Sequence, residues 1–213
     1  MIDIEVKNII KKFGNATVLN DISISFEKGK IHGLVGRNGS GKTMLLKCIC
    51  GFVPVTSGSI FVGGKKVGKD VDIPDNIGII IEAPGFLPQY SGYKNLKLLS
   101  MINKKIQKDE VFQAIEKVGL DPLSKKHVGK YSLGMRQRLG IAQALMENPD
   151  ILILDEPMNG LDNAGVDDIR KLILSIKENG TTIILASHGK EDIQILCDTV
   201  HELDHGKIII TEQ

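Results

Sequence analysis

A glycine-rich loop in the first quarter of the chain has the residue types and spacing of a phosphate-binding site. Residues 36–43 read GRNGSGKT, which fits G-x-x-x-x-G-K-[ST], with an apolar stretch before them and a helix-forming stretch after them. Glycines let backbone N–H groups curl around phosphate oxygens, and the N-terminus of the following helix adds partial positive charge. We expect Lys42 to reach the β- and γ-phosphates of a nucleotide and the Thr43 hydroxyl to bind Mg²⁺. The residues predicted to cradle the phosphates are Gly36, Asn38, Gly39, Ser40, Gly41, Lys42 and Thr43.

Two adjacent carboxylates form a second candidate for chemistry. Residues 151–156 read ILILDE, an apolar run that ends in Asp155 and Glu156. Such a run is typical of a buried parallel strand, and ligands gather at the carboxyl ends of these strands. We expect Asp155 to hold Mg²⁺ through water and Glu156 to polarise the attacking water as general base. Together with the phosphate loop, the pair predicts hydrolysis of a nucleoside triphosphate.

The stretch from Tyr131 to Asp162 indicates which kind of nucleotide protein this is. At 131–138 it reads YSLGMRQR, and here the chain resembles the ATP-binding subunits of ABC transporters, which have Leu-Ser-Gly-Gly-Gln-x-Gln-Arg. The positions that match are Ser132, Gly134, Gln137 and Arg138, and those that depart are Tyr131, Leu133 and Met135. The resemblance covers essentially the whole chain. It implies that Ser132 and Gly134 contact the γ-phosphate bound by a second subunit.

The same resemblance assigns further residues to the nucleotide. Phe13 lies where the family stacks an aromatic ring on adenine, and Val18 falls in the same site. A core position is the alternative for Phe13. Asp162 closes the Asn-Gly-Leu-Asp turn that crosses the dimer interface in the family, and His188 matches the histidine that bonds the γ-phosphate and orients water. The predicted catalytic residues are Lys42, Glu156 and His188.

One departure concerns the residue that follows the apolar stretch at 76–81. ABC ATP-binding subunits usually have Gln there, and this chain has Glu82. Its carboxylate is expected to approach Mg²⁺ or water, so Glu82 joins Thr43 and Asp155 as a predicted metal-site residue. Unlike Gln, it cannot donate a hydrogen bond unless it is protonated. A Glu at this position, with the Tyr-Ser-Leu-Gly-Met signature, resembles the subgroup that exports or confers immunity to bacitracin- and lantibiotic-type peptides.

The loop after Glu82 is unusually apolar. It contains Phe86, Leu87, Tyr90 and Tyr93. In the family this region is the groove for the coupling helix of a membrane partner. Ordinary packing inside a helical subdomain is the equally open alternative.

His201 and His205 raise the possibility of a metal site near the C-terminus. Both are expected on one strand, where four residues span about 13 Å. That distance is too long for one ion, so we predict no metal site there.

Strand-like and helix-like stretches alternate around these residues. Strands are predicted within 1–30 and 57–68 and at 31–36, 76–81, 151–156 and 181–187, helices at 42–50, 166–178 and 191–197, and a hairpin at the end of the chain. The alternation predicts an α/β fold. We expect a P-loop NTPase (RecA-like) core with a mainly parallel sheet, an N-terminal antiparallel β subdomain and an inserted α-helical subdomain. The inserted helices should occupy about 83–147, with a helical pattern over 95–120, inside a single domain at 1–213.

Composition limits the classes of partner. The formal net charge is +1, so bulk electrostatics point neither to nucleic acid nor to an anionic membrane. No apolar run approaches the roughly 18 residues that span a bilayer. The N-terminus, with Asp3 and Glu5, does not resemble a signal peptide. We expect a cytoplasmic protein, peripheral on the inner face of the cell membrane, with no nucleic-acid partner and no direct membrane insertion.

The leading interpretation is a motor ATPase that uses ATP and Mg²⁺. By resemblance, two copies (a homodimer or a pseudo-dimer) bind ATP at their interface and drive a separate membrane permease, with export of or immunity to antimicrobial peptides as the role. The alternative is a soluble ABC-type ATPase in translation or DNA maintenance. Those relatives usually carry two cassettes or a long coiled-coil insertion, and neither fits in 213 residues. A GTPase is disfavoured because a guanine-reading Asn-Lys-x-Asp is missing.

Overall fold

The computed structural model describes residues 1–103 and 106–212 and contains two β-sheets and six helices within them. The strands are β1 Ile2–Phe13, β2 Ala16–Glu27, β3 Ile31–Val35, β4 Ser57–Val62, β5 Lys65–Lys66, β6 Ile77–Ile80, β7 Ile151–Asp155, β8 Thr182–Ala186, β9 Thr199–Asp204 and β10 Lys207–Glu212. The helices are α1 Lys42–Ile49, α2 Gly92–Asn103, α3 Lys108–Lys117, α4 Leu133–Leu145, α5 Asn163–Glu178 and α6 Lys190–Leu196. No described helix is both long and apolar enough to cross a bilayer.

The larger sheet confirms the predicted mainly parallel core. Its strand order is β10-β9-β3-β8-β7-β6, and only the β9–β10 pair is antiparallel. The strand β3, which leads into the phosphate loop, lies between β9 and β8. Ligands collect at the carboxyl edge of such a sheet, so the order brings the ends of β3, β7 and β8 to one place.

The smaller sheet is the predicted N-terminal antiparallel subdomain, with strand order β2-β1-β4-β5. Both β1 and β2 have 12 residues, so the strands predicted within 1–30 are two long ones. Register shifts interrupt their pairing, one of them between Ile2 and Ile4. Ile2, Ile4 and Val6 alternate with polar residues, and Ile4 and Val6 are buried, whereas Ile2 lies at the exposed end of the strand.

The strand β7 shows why its sequence is a continuous apolar run. Ile151 and Ile153 join the core between the larger sheet and α1, while Leu152 and Leu154 join the core on the helix-covered face. All four side chains are buried. Burial of each contributes about 1.5–3 kcal/mol. A strand covered on both faces needs apolar residues at every position, which leaves polar groups only at its end.

The segment between β6 and β7 is helical, as predicted. The pattern over 95–120 resolves into α2 and α3, and residues 104–105 lie outside the described residues. A 3-10 turn at Val128–Lys130 and then α4 follow. Ile115 on α3 and Val118 directly after it are buried, and Phe112 meets the Tyr93 ring edge-on at 4.8 Å. The subdomain limits of about 83–147 stay a prediction.

Some predicted boundaries differ from the structure for local reasons. The helix expected at 166–178 begins at Asn163, because the Asp162 side chain caps it by accepting from the Gly165 N–H at 2.9 Å. His205 was wrongly expected on a strand. It lies with Gly206 in the tight turn between β9 and β10, with φ values of 45° and 74°. Two such residues form the turn that matches the twist of paired strands.

Candidate active site

The phosphate loop connects the end of β3 to the start of α1. Gly36 has φ 146°, and a side chain there would run into the Leu203 carbonyl and Ser40 Oγ. The ammonium of Lys42 donates to the carbonyls of Gly36 at 2.6 Å and Arg37 at 3.2 Å. Ser40 Oγ is buried with no hydrogen-bond partner among the described residues. A buried hydroxyl left without a partner inside a glycine-rich cradle fits a phosphate oxygen.

The end of β7 brings Asp155 against the loop. Asp155 is buried and its Oδ2 accepts a hydrogen bond from Thr43 Oγ1 at 2.7 Å. Burial raises the pKa of the Asp155 carboxyl, and the hydrogen bond from Thr43 opposes that shift. A hydroxyl and a carboxylate in contact form the oxygen donor set that Mg²⁺ prefers. The predicted metal-site pair is therefore adjacent.

Glu156 and His188 lie together although 32 positions separate them in the sequence. His188 Nδ1 is 2.8 Å from Glu156 Oε1. The Glu156 side chain is 22 % exposed and that of His188 is 64 % exposed. The Glu156 N–H donates to the Ala186 carbonyl at 2.8 Å, which ties the residue after β7 to the end of β8. A carboxylate so held, beside an imidazole, has the geometry of an oriented general base.

The backbone at the two site glutamates is unusual. Among the described non-glycine residues, seven have positive φ: Asn8, Asp21, Asn76, Glu82, Asn148, Glu156 and His205. Asn, Asp and His tolerate this region comparatively well, whereas glutamate does not. The remaining two are Glu82 at 62° and Glu156 at 52°. Backbone strain of this kind concentrates at functional sites, so both positions stand out on geometry alone.

Glu82 has a partner that sequence reasoning missed. Its Oε1 is 2.6 Å from the Lys47 ammonium on α1. The Glu82 side chain is 64 % exposed and that of Lys47 is 26 % exposed. Lys47 is four positions after Thr43 on the same helix, and that spacing puts both on one face. The sequence spacing could therefore have placed Lys47 on the same helix face as Thr43. It could not have shown where the loop that carries Glu82 lies.

One cavity of about 690 Å³ collects most of the predicted nucleotide-binding residues. Its lining includes Val18, Asn38, Gly39, Ser40, Gly41, Lys42, Thr43, Glu82, Asp155 and Glu156. Phe13 is not in that lining. It is 51 % exposed at the end of β1, with the Lys11 ammonium 4.5 Å from its ring centroid. Exposure argues against a core role for Phe13, and adenine stacking stays a prediction.

Ser132, Gly134 and Asp162 line a second cavity of about 620 Å³. Ser132 caps α4, since its Oγ accepts from the Met135 N–H at 3.2 Å. Gly134 lies so close to the Gly160 carbonyl that a Cβ would be 2.9 Å from it. The Ser-x-Gly turn and the turn at 159–162 are therefore packed together. Ser132, Gly134 and Asp162 open on this second cavity, whereas Leu133 and Asn159 line the phosphate-loop cavity.

A third cavity, of about 740 Å³, lies between β6 and the helices α2 and α4. Phe52, Ile73 and Ile102 line it and are 50 %, 54 % and 80 % exposed. Sequence reasoning missed these three. Of the residues proposed for such a groove, Phe86 and Tyr93 instead pack against the core and only Leu87 is substantially exposed. Of the two interpretations of this loop, a partner groove or ordinary packing, packing is the one that describes Phe86 and Tyr93.

Several known proteins are similar in sequence to this chain over nearly its whole length. Residues 19–159 match the family model described as ABC transporter. The chain is 48 % identical to the uncharacterized ABC transporter ATP-binding protein YybJ of Bacillus subtilis, over 99 % of this chain and 96 % of that protein. It is 40 % identical to the bacitracin transport ATP-binding protein BcrA of Enterococcus faecalis, over 97 % of this chain and 68 % of the relative. It is 38 % identical to the lantibiotic transport ATP-binding protein SrtF of Streptococcus pyogenes, over 99 % of this chain and 90 % of that protein.

Solved structures share the fold. A dimeric structure of the ATP-binding cassette MJ0796 in a post-hydrolysis state, bound to ADP and Pi, superimposes with a TM-score of 0.88. It covers 99 % of this chain and 98 % of that one at 21 % identity. At that identity the likeness concerns the arrangement of the sheets and helices described above.

Proposed function

Because this chain belongs to the ATP-binding proteins of ABC transporters, we propose that it drives a separate membrane permease in the export of, or immunity to, antimicrobial peptides. The chain binds ATP and is an ATPase. One observation carries the inference that two copies act together. The phosphate loop with Asp155 and Glu156 opens on one cavity, while Ser132 and Gly134 open on another. We call the phosphate loop with Asp155 and Glu156 the first part-site, and Ser132 with Gly134 the second part-site. Each is half of a nucleotide site, so a second subunit is needed to complete each of them.

In the first part-site, each side chain has a task that its position supports. Lys42 can exchange its bonds to the loop carbonyls for phosphate oxygens, and Ser40 Oγ gains the partner it lacks. Thr43 would supply an oxygen ligand for Mg²⁺, and Asp155, hydrogen-bonded to it, would hold the metal through water. The metal, when bound, neutralises charge on the phosphates. Glu156 takes the proton of the attacking water, and His188 orients both the carboxylate and the γ-phosphate.

In the second part-site, Ser132 and Gly134 serve the nucleotide of the partner subunit. The first turn of α4 presents backbone N–H groups and a partial positive charge, which suits a phosphate. Asp162 caps α5 at the turn packed beside Gly134. We infer that this turn lies across the dimer interface, so that closure of two copies encloses two ATP molecules.

The permease is expected to dock in the groove lined by Phe52, Ile73 and Ile102. These are exposed apolar side chains around a concave surface, which is typical of a protein–protein contact. Glu82 lines both this groove and the nucleotide cavity. A permease segment in the groove would therefore touch the loop that also borders the phosphates. That shared loop supports coupling of hydrolysis to movement in the membrane.

The peptide class rests on similarity to two named relatives, one for bacitracin and one for lantibiotic transport. The test is to express the chain with a membrane protein encoded beside its gene in a sensitive host and to measure growth in bacitracin or a lantibiotic. Protection that disappears with Glu156→Gln is the expected result. Normal ATPase activity without protection against any such peptide would refute the substrate class. Salt-sensitive capture of nucleic acid by the purified chain would instead favour the soluble alternative.

A further inference from the structure

An ion cluster joins α5 to α6 next to the candidate active site. Arg170 on α5 donates through Nε at 2.9 Å and Nη2 at 2.7 Å to Asp192 Oδ1 on α6. Both side chains are nearly buried, 12 % and 11 % exposed. Glu191 at 3.3 Å and Asp167 at 3.4 Å complete the set around the guanidinium. A buried pair of this kind defines geometry more than it adds stability, and loss of one partner leaves a buried charge unpaired.

Asp192 reaches the residue that directly follows His188. Its Oδ2 lies so close to Gly189 that a Cβ there would be 2.7 Å away. The Gly189 N–H donates to Ser187 Oγ at 3.0 Å. Gly189 is thus bonded to the Ser187 hydroxyl and lies against the carboxylate that Arg170 binds, while the Ser187 N–H donates to the Leu34 carbonyl at 3.3 Å. The imidazole itself is 64 % exposed and touches Glu156.

The other end of this connection is the turn at 159–162. Asp162 caps α5, and Arg170 lies about 12 Å further along the same helix. The turn is packed against Gly134. One helix therefore runs from the turn beside the second part-site to Arg170, whose partner Asp192 lies against the residue after His188.

We propose that Arg170 is a positioning residue for His188, acting through Asp192 and Gly189, and that α5 uses it to link the dimer-interface turn to the hydrolytic histidine. The inference rests on the proposed role of His188 in hydrolysis. Arg170 does not line the phosphate-loop cavity. Its effect is to keep the loop at 187–189, and with it the imidazole, in the orientation that meets Glu156.

Arg170→Gln is the test, and Lys177→Gln is its matched control. Lys177 is on the same helix and forms an ion pair at 2.6 Å with Asp198, before β9 and away from His188. We expect Arg170→Gln to lower kcat by about tenfold or more, as displaced catalytic groups do, with KM for ATP little changed. Lys177→Gln should leave kcat close to that of the unmodified chain. Asp192→Asn should reproduce the effect of Arg170→Gln.

A second measurement separates positioning from general destabilisation. The Cε1–Hε1 resonance of His188, assigned by its loss in His188→Ala, should shift in Arg170→Gln and stay in place in Lys177→Gln. Arg170→Lys should restore part of kcat, because one of the two bonds to Asp192 can re-form. An unshifted resonance or an unchanged kcat in folded Arg170→Gln would overturn the inference. Full activity in His188→Ala would instead refute the proposed role of the histidine itself.

Discussion

His188 Nδ1 lies 2.8 Å from Glu156 Oε1, so the two residues expected to handle the attacking water are already in contact within one chain. The contact follows from topology. Glu156 follows β7, His188 follows β8, and these are neighbouring parallel strands with Asp155 opposite Ala186. Assembly of this pair therefore needs no second subunit.

Glu156→Gln should bind ATP and hydrolyse it about 10²–10⁴-fold more slowly, because the amide cannot accept the proton of water. Slow turnover should also trap the closed, ATP-bound dimer, which size-exclusion chromatography with ATP will detect. Glu178→Gln, at the exposed end of α5, is the control for loss of a carboxylate. Near-normal hydrolysis by Glu156→Gln would remove Glu156 as the base.

Lys42→Ala should weaken ATP binding by about 2 kcal/mol, or about 30-fold in Kd, through loss of a charged hydrogen bond to phosphate. Titration with a fluorescent ATP analogue measures it. Lys171→Ala, an exposed lysine on α5, controls for net charge. Equal affinity in the two variants would contradict the role given to the loop.

Substitution of one or the other partner of the Lys47–Glu82 ion pair should change the Mg²⁺ requirement of the ATPase in opposite directions. Glu82→Gln removes a carboxylate beside the phosphates and should raise the Mg²⁺ concentration needed for half-maximal ATPase activity. Lys47→Gln frees that carboxylate from its 2.6 Å contact and should lower the requirement. Titration of ATPase activity with Mg²⁺ tests both. If Glu82→Gln leaves both ATPase activity and transport unaltered, the departure from the family Gln is functionally neutral.

The buried histidine His201 predicts loss of stability in acid. Burial, and after it the neighbouring His32, lower its pKa from 6.5 to about 4. Above pH 6.5 the histidine is neutral in both the folded and the unfolded chain, so its burial does not make the free energy of unfolding depend on pH. As pH falls towards 4 the unfolded chain takes up a proton that the folded chain does not, and the free energy of unfolding decreases by about 3 kcal/mol.

Urea unfolding between pH 7 and pH 4 measures this dependence. His201→Gln should flatten it, while His205→Gln should not, since His205 is 92 % exposed in the turn after β9. An unchanged slope in His201→Gln would assign the acid sensitivity to other groups. His32, whose pKa burial also lowers, is the next variant to examine.

The apolar groove predicts separation of hydrolysis from transport. Ile102→Glu should leave the ATPase activity of the isolated chain unchanged, because its side chain is 80 % exposed and does not line the phosphate-loop cavity. The same change should prevent pull-down of the permease and abolish protection against peptide. Leu123→Glu, exposed outside the groove, is the matched control.

Much of the fold and the chemistry was predictable where the signal is local. The apolar run before Asp155 and the loop at 36–43 each depend on neighbours within a few positions. The contacts Lys47–Glu82 and Arg170–Asp192 could not be read this way, because they join elements whose relative placement depends on the packing of the whole sheet. The turn at His205 was missed because a histidine in a left-handed conformation is an uncommon signal.

The left-handed backbone at Glu82 and Glu156 has a consequence for attempts to make this chain more robust. Glycine adopts such φ values readily, so replacement of either glutamate by glycine would relieve about 1 kcal/mol of backbone strain. The same replacement would delete a carboxylate from the phosphate cavity. Thermal robustness and turnover thus oppose each other at these two positions. A screen for heat-resistant variants has to score ATP turnover beside melting temperature, or it will select inactive protein.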